Sequence, residues 1–281
     1  MRVAALSLAG VRLDTVDSYR ADLVALLKRE QPCLAVLPAL SALLLGLRTG
    51  NLPRGVRFEE ICKNYLAKGA AWNDQYLNLH SSIAAEVRCY LAAGTIFEEA
   101  DGRFFHAACG FSPRGELLLQ RQTHLTLEER ELGFSRGEEL SLFDLDGLQA
   151  GFVVGNDARH PEVSRIYALR GADVLIHSGA VTSRFYCWPQ AAGMWAQVQQ
   201  NQFWAVEARL RGAIGKKIFG GTSAVIGPCE ITPGRSGYLS RSYPDTPLIS
   251  AALDESARQA IKKKYPLLEM LNPAAYKDLF G

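Results

Sequence analysis

The 281-residue sequence has no Cys-x-x-Cys pair, and its six cysteines (33, 62, 89, 109, 187 and 229) are widely spread. That argues against a disulfide framework or a zinc ribbon and points to a reducing, cytoplasmic compartment. Histidine is scarce, with five residues and neither H-x-x-x-H nor H-x-H spacing, so no metal and no cofactor are expected. Charge of one sign is also lacking: 31 Lys+Arg face 29 Asp+Glu, and Lys262-Lys263-Lys264 is the longest run. Such balance leaves no electrostatic footprint for nucleic acid or a membrane surface. No apolar run reaches the roughly 20 residues of a membrane span; Cys33–Leu47 is 15 residues long and carries Pro38. The start, Met1–Val11, runs into Arg12 and Asp14 without a cleavage site and reads as a buried strand rather than a signal peptide. Nucleophile elbows of G-x-S-x-G type, phosphate loops and dinucleotide fingerprints are missing too.

What is present is an alternation of short apolar strands and helical stretches. Strands are predicted at Val3–Leu8, Leu34–Leu37 and Tyr90–Phe97, and helices at Val16–Arg29, around Phe58–Leu66 and over Asp74–Arg88. Ser112-Pro-Arg-Gly115 joins Phe104–Phe111 to Glu116–Arg121 as a hairpin, and Asp146-Gly147 joins Leu140–Leu145 to Leu148–Val154. A helix near Pro161, a strand at Val174–His177, a helix over about Gln190–Gln200 and a strand at Phe203–Ala208 follow. The last third holds Ser223–Ile226, Gly237–Tyr243 and a helix from Asp254 through Lys264. With no repeat and no linker-like composition break, one α/β domain of mixed hairpins and crossover helices is expected over residues 1–265.

Three segments carry more. They are Leu34-Ala-Val-Leu-Pro-Ala-Leu, Gly115-Glu-Leu-Leu-Leu-Gln-Arg-Gln-Thr-His-Leu125, and Gly151-Phe-Val-Val-Gly-Asn-Asp-Ala-Arg-His-Pro-Glu162. In this order they resemble the three signature segments of the carbon–nitrogen hydrolase (nitrilase) superfamily. Phe111-Ser-Pro-Arg-Gly, Gln199-Gln-Asn-Gln-Phe-Trp-Ala-Val-Glu and Phe219-Gly-Gly-Thr-Ser-Ala-Val-Ile fall in family order as well. The resemblance spans Met1 to Lys264 and implies a four-layer α-β-β-α sandwich. It also implies pairing through helices beside the elbow, in a homodimer or larger even assembly, with residues 266–281 packing on a neighbouring subunit.

Members of that family use a glutamate to move protons, a lysine to stabilise the oxyanion and a cysteine as nucleophile. Mapped onto this sequence, those places hold Ala39, Gln122 and Gly155. The resemblance therefore implies a member with a degenerate triad, binding a small amide- or carboxylate-bearing ligand or serving as a structural or regulatory subunit. The competing reading is a true amidohydrolase that works through other cleft residues. Glu129 falls near the auxiliary glutamate of relatives, with Glu128 as the other choice. Without a lysine beside it, its carboxyl is expected to titrate above the ordinary range. Asn156 and Arg159 resemble substrate-carboxylate contacts, though Arg159 could equally partner Asp157. Cys187 and Trp188 fall where relatives line the pocket mouth; Cys187 is either an inert small hydrophobe or a nucleophile served by His160 or His177.

Overall fold

In the computed structural model, which describes residues 1–8, 10–182, 193–243 and 246–276, two six-stranded sheets lie face to face between layers of helix. The first sheet has the order β15-β1-β2-β3-β4-β5. Its members are β1 (Arg2–Leu6), β2 (Leu34–Val36), β3 (Tyr90–Ala100), β4 (Arg103–Phe111), β5 (Leu117–Arg121) and β15 (Leu248–Ala252). The second has the order β14-β13-β10-β8-β7-β6. It is built from β6 (Leu142–Leu145), β7 (Leu148–Val154), β8 (Val174–Gly179), β10 (Trp204–Arg209), β13 (Ala224–Ile226) and β14 (Tyr238–Arg241). A small sheet joins β9 (Val181–Thr182) to the hairpin β11 (Gly212–Ile214) and β12 (Lys217–Gly220).

Period-two alternation of apolar residues builds the layers. Val3, Ala5, Leu34, Val36, Ala92 and Ala108 point from the first sheet into a core shared with Phe152, Val154, Ile176, Trp204 and Val206 of the second. Their neighbours Leu6, Ala35, Leu91, Ala93 and Ala107 point the other way. There they meet the helices α1 (Val16–Glu30), α2 (Ser41–Thr49), α3 (Phe58–Lys68) and α4 (Ala70–Val87), through Leu23, Leu43, Ile61 and Tyr76 among others. On the far face of the second sheet, Val153, Leu175 and Ala205 pack on Val163, Tyr167 and Val198. Those residues belong to α6 (Pro161–Leu169) and α7 (Trp195–Asn201), with the single-turn α5 (Leu127–Glu131) lying earlier in the chain. Each large apolar side chain removed from water contributes roughly 1.5–3 kcal/mol, so three stacked cores hold four layers: helix, sheet, sheet, helix.

Both expected hairpins form: β4 pairs with β5 across Ser112–Gly115, and β6 with β7 across Asp146 and Gly147, whose φ of 55° and 86° are the left-handed conformations a two-residue turn demands. Asp101 and Gly102 (φ 52° and 70°) turn β3 into β4 in the same way. Several elements differ from expectation. β15 was not foreseen, and neither was the β11–β12 hairpin or α5. The apolar stretch after Pro38, where a helix or turn is expected, is the helix α2, opened by Leu40 at φ 60°. Of the helix expected over about residues 190–200, the described part runs from Trp195 to Asn201, and residues 190–192 lie outside the described residues. The last helix, α8 (Glu255–Lys264), is capped by Asp254, whose side chain accepts from Ala257 N.

Candidate active-site cleft

The strand-to-helix elbow is the focus of the second sheet. β7 ends at Val154, Gly155 turns at φ 49°, a 3₁₀ turn runs through Arg159, and Pro161 starts α6 at a position where its missing N–H costs nothing. A side chain at Gly155 would meet a wall, since an ideal Cβ would lie 2.6 Å from Gln122 Oε1. Gln122 comes from the end of β5, and its Nε2 donates to His124 O (2.9 Å) and Glu129 Oε2 (2.8 Å). Ala39 follows Pro38 at the end of β2 and lines the same cleft as Gly155. Ala39 and Gly155 thus line one cavity of about 120 Å³, and Gln122 lies buried behind it, against Gly155.

Glu129 lies inside that cleft, whereas Glu128 is turned toward its rim and pairs with Lys217 of β12. A capping box holds Glu129 in place: Thr126 Oγ1 accepts from Glu129 N, and Glu129 Oε2 accepts from Thr126 N (2.7 Å). Its Oε1 accepts from His106 Nδ1 at 2.7 Å. The expectation of a raised carboxyl is wrong. Burial does push it up, but the hydrogen bond and charge of His106 and the Thr126 donors outweigh burial and hold it down to about 2. Arg121 of β5 is engaged instead with Glu98, at 2.7 Å and 2.8 Å.

His106 was the residue sequence reading missed. Its Nε2 meets Thr95 Oγ1 at 2.8 Å, and Thr95 Oγ1 also accepts from Leu40 N at 2.8 Å. A one-residue bulge in β3, between Ala92 and Thr95 and centred on Gly94 (φ 78°), aims that hydroxyl. The order hydroxyl, imidazole, carboxylate therefore runs along the cleft wall, all but hidden from water.

On the opposite wall, His177 Nε2 meets Gly155 O at 3.2 Å, and its Nδ1 meets Glu207 Oε1 at 2.7 Å. Burial works against the Glu207 carboxylate, but Arg209, 2.9 Å away, and His177 pull its titration down to about 2. Asn156 lines the cleft while donating to His124 O (3.1 Å). Arg159 also lines it, its guanidinium disfavoured first by burial and then by Arg209. Asp157 lies behind the elbow, fully buried, and accepts from the backbone N–H of Thr123 and of His124. Cys62 of α3 is the one thiol among the described lining residues, and burial followed by the Glu128 charge pushes it up to about 12. Cys187 and Trp188 lie outside the described residues.

Among the described residues, one group of metal-ligating side chains lies close together, His124, His160 and Glu162, beside the elbow rather than in the cleft. None of the described helices is long and apolar enough to cross a membrane.

Known proteins share this fold. An omega-amidase of Xenopus laevis (NIT2-B) is 28% identical over 202 residues, covering 67% of this chain and 70% of that protein. The omega-amidase NIT2 of Bos taurus is 34% identical over 110 residues, 36% of this chain and 40% of its own length. Among solved structures, Saccharomyces cerevisiae Nit3, a nitrilase-superfamily member, superposes with a TM-score of 0.77 at 19% identity, over 96% of both chains. An amidase from Nesterenkonia sp. AN1, solved with acrylamide added to its active-site cysteine, gives 0.73 at 21% identity, over 96% of this chain and 100% of that one. The carbon–nitrogen hydrolase family pattern matches residues 21–262, and on that match the chain belongs to the carbon–nitrogen hydrolase family.

Proposed function

We propose that this chain has exchanged bond cleavage for binding: a carbon–nitrogen hydrolase fold that holds a small amide- or carboxylate-bearing ligand over Gly155. The observation that carries this reading is that Ala39 and Gly155 line one cleft, with Gln122 buried directly behind Gly155. A nucleophile, a base and an oxyanion-stabilising cation are needed together, because their contributions are collective. Methyl, neutral amide and hydrogen supply none of them. The remaining thiol in the described lining, Cys62, stays protonated at neutral pH because it is driven up to about 12. Arg159 among the lining residues favours an anionic or carbonyl-bearing ligand, and the relatives' names, omega-amidases, point to an amide. Exposed Ile166 and Leu169, one turn apart on α6, support assembly as an even homo-oligomer.

The test is a panel of aliphatic amides, omega-amides, N-carbamoyl acids and nitriles incubated with purified protein. No turnover above background is expected, alongside ligand-induced thermal stabilisation by at least one amide. Turnover that persists through a second, orthogonal purification would overturn the reading. It would favour the alternative of an amidohydrolase with non-standard residues, for which the Thr95–His106–Glu129 relay is the supporting observation.

A further inference from the structure

His124, His160 and Glu162 bring three ligand atoms within 4.8 Å of one another on the outer side of the elbow. Glu162 Oε1 lies 3.3 Å from His124 Nε2 and 3.6 Å from His160 Nδ1, so one carboxylate caps the same edge of both rings. From this geometry we propose that the three side chains form a binding site for a divalent first-row transition metal of the zinc class. Two imidazoles and a carboxylate are a ligand set that zinc accepts while leaving a fourth position open.

A second observation prepares one ligand. His124 Nδ1 faces Asp157 Oδ1 at 3.2 Å, and Asp157 is fully buried and fixed by the Thr123 and His124 N–H groups. A buried carboxylate on one ring nitrogen sets the tautomer, leaves the other nitrogen's lone pair outward and makes it a stronger donor. His160 has to move. The two rings are stacked at 4.0 Å between centroids and 18° between planes, so their lone pairs run side by side where a tetrahedral ion needs them to converge. Being about one-third exposed, His160 can turn, giving up its 3.2 Å contact with Asn156 Nδ2. Asn156 also lines the cleft, so metal binding reaches the ligand site through a single side chain. The histidine spacings in the sequence carry no trace of this, because residues 124 and 160 meet only across the elbow.

The experiment is calorimetric titration of the full chain with Zn²⁺, and absorption spectroscopy with Co²⁺ as the coloured probe. One ion per chain and a visible Co²⁺ ligand-field band are expected. His160→Gln and Glu162→Gln, both on the surface, should each weaken binding by at least about tenfold while melting as the parent does. No binding overturns the proposal. Binding that either variant leaves unchanged overturns it equally, since the ion is then held elsewhere.

Discussion

Glu129 receives hydrogen bonds from an imidazole, an amide, a hydroxyl and a backbone N–H, which is why its carboxyl stays ionised despite burial. A carboxylate held at about 2 in the fold and near its ordinary 4.5 when unfolded binds fewer protons when folded. Its stabilisation is therefore complete above about pH 4.5 and is lost as pH falls toward 2. Replacing Glu129 with Gln should cost about 2 kcal/mol at neutral pH, with the difference closing in acid. Denaturant melts of both proteins at pH 7 and pH 3 would check this; a glutamine variant as stable as the parent at pH 7 would show the pair with His106 to be dispensable. The place of Glu129 was legible only through the family resemblance, while the capping box with Thr126 that holds it is seen in the structure. Its partner was not. His106 is a lone histidine in an apolar strand, and only strand pairing sets it beside Thr95 on one side and α5 on the other.

Among the elements, α1 and α4 are joined by a buried polar link. Tyr19 OH donates to His80 Nε2 at 2.8 Å, and His80 Nδ1 donates to Tyr76 O at 2.8 Å. Both bonds suit the neutral ring, and burial lowers His80 titration to about 4. The unfolded chain takes up this proton first as pH falls. Stability is thus undiminished above pH 6.5 and declines from there to about 4, by about 3 kcal/mol in all. Urea midpoints across that interval should fall in the parent and much less in His80→Gln; equal slopes would assign the loss to other groups. Elements with strong local signals were readable: the hairpins at Ser112–Gly115 and Asp146-Gly147, the long amphipathic helices and the proline-started α6. Those that depend on distant partners were not. β15 is five residues, Leu-Ile-Ser-Ala-Ala, too short and too mixed in composition to read as a strand, and it exists because β1 offers an edge. The β11–β12 hairpin turns at Gly215-Lys216 and delivers Lys217 to the cleft, a residue no spacing argument could place there.

For the whole molecule, the proposed assembly makes a direct claim about α6. Leu169 is 60% exposed and Ile166 37% exposed, adjacent on one helical face beside the elbow. Light scattering should give an even multiple of the chain mass, and Leu169→Glu should reduce it to the monomer. A parent that is already monomeric would remove the oligomer from the proposal. The layered architecture was implied by the resemblance of three short segments, and the layers follow from apolar alternation that any of the buried strands displays.

The pairing of β1 with β15 also has a bearing on how the chain folds. Arg2 lies opposite Ala252, and Leu253 N donates to Met1 O, so the first sheet is closed by residues some 250 positions apart. Contacts of such separation form late, because closing a long loop carries an entropic cost before any pairing compensates for it. On the ribosome, β1 emerges some 250 residues before β15 and waits, one edge unpaired, until residue 252 has been made. A nascent chain halted before residue 248 would present that edge to its neighbours.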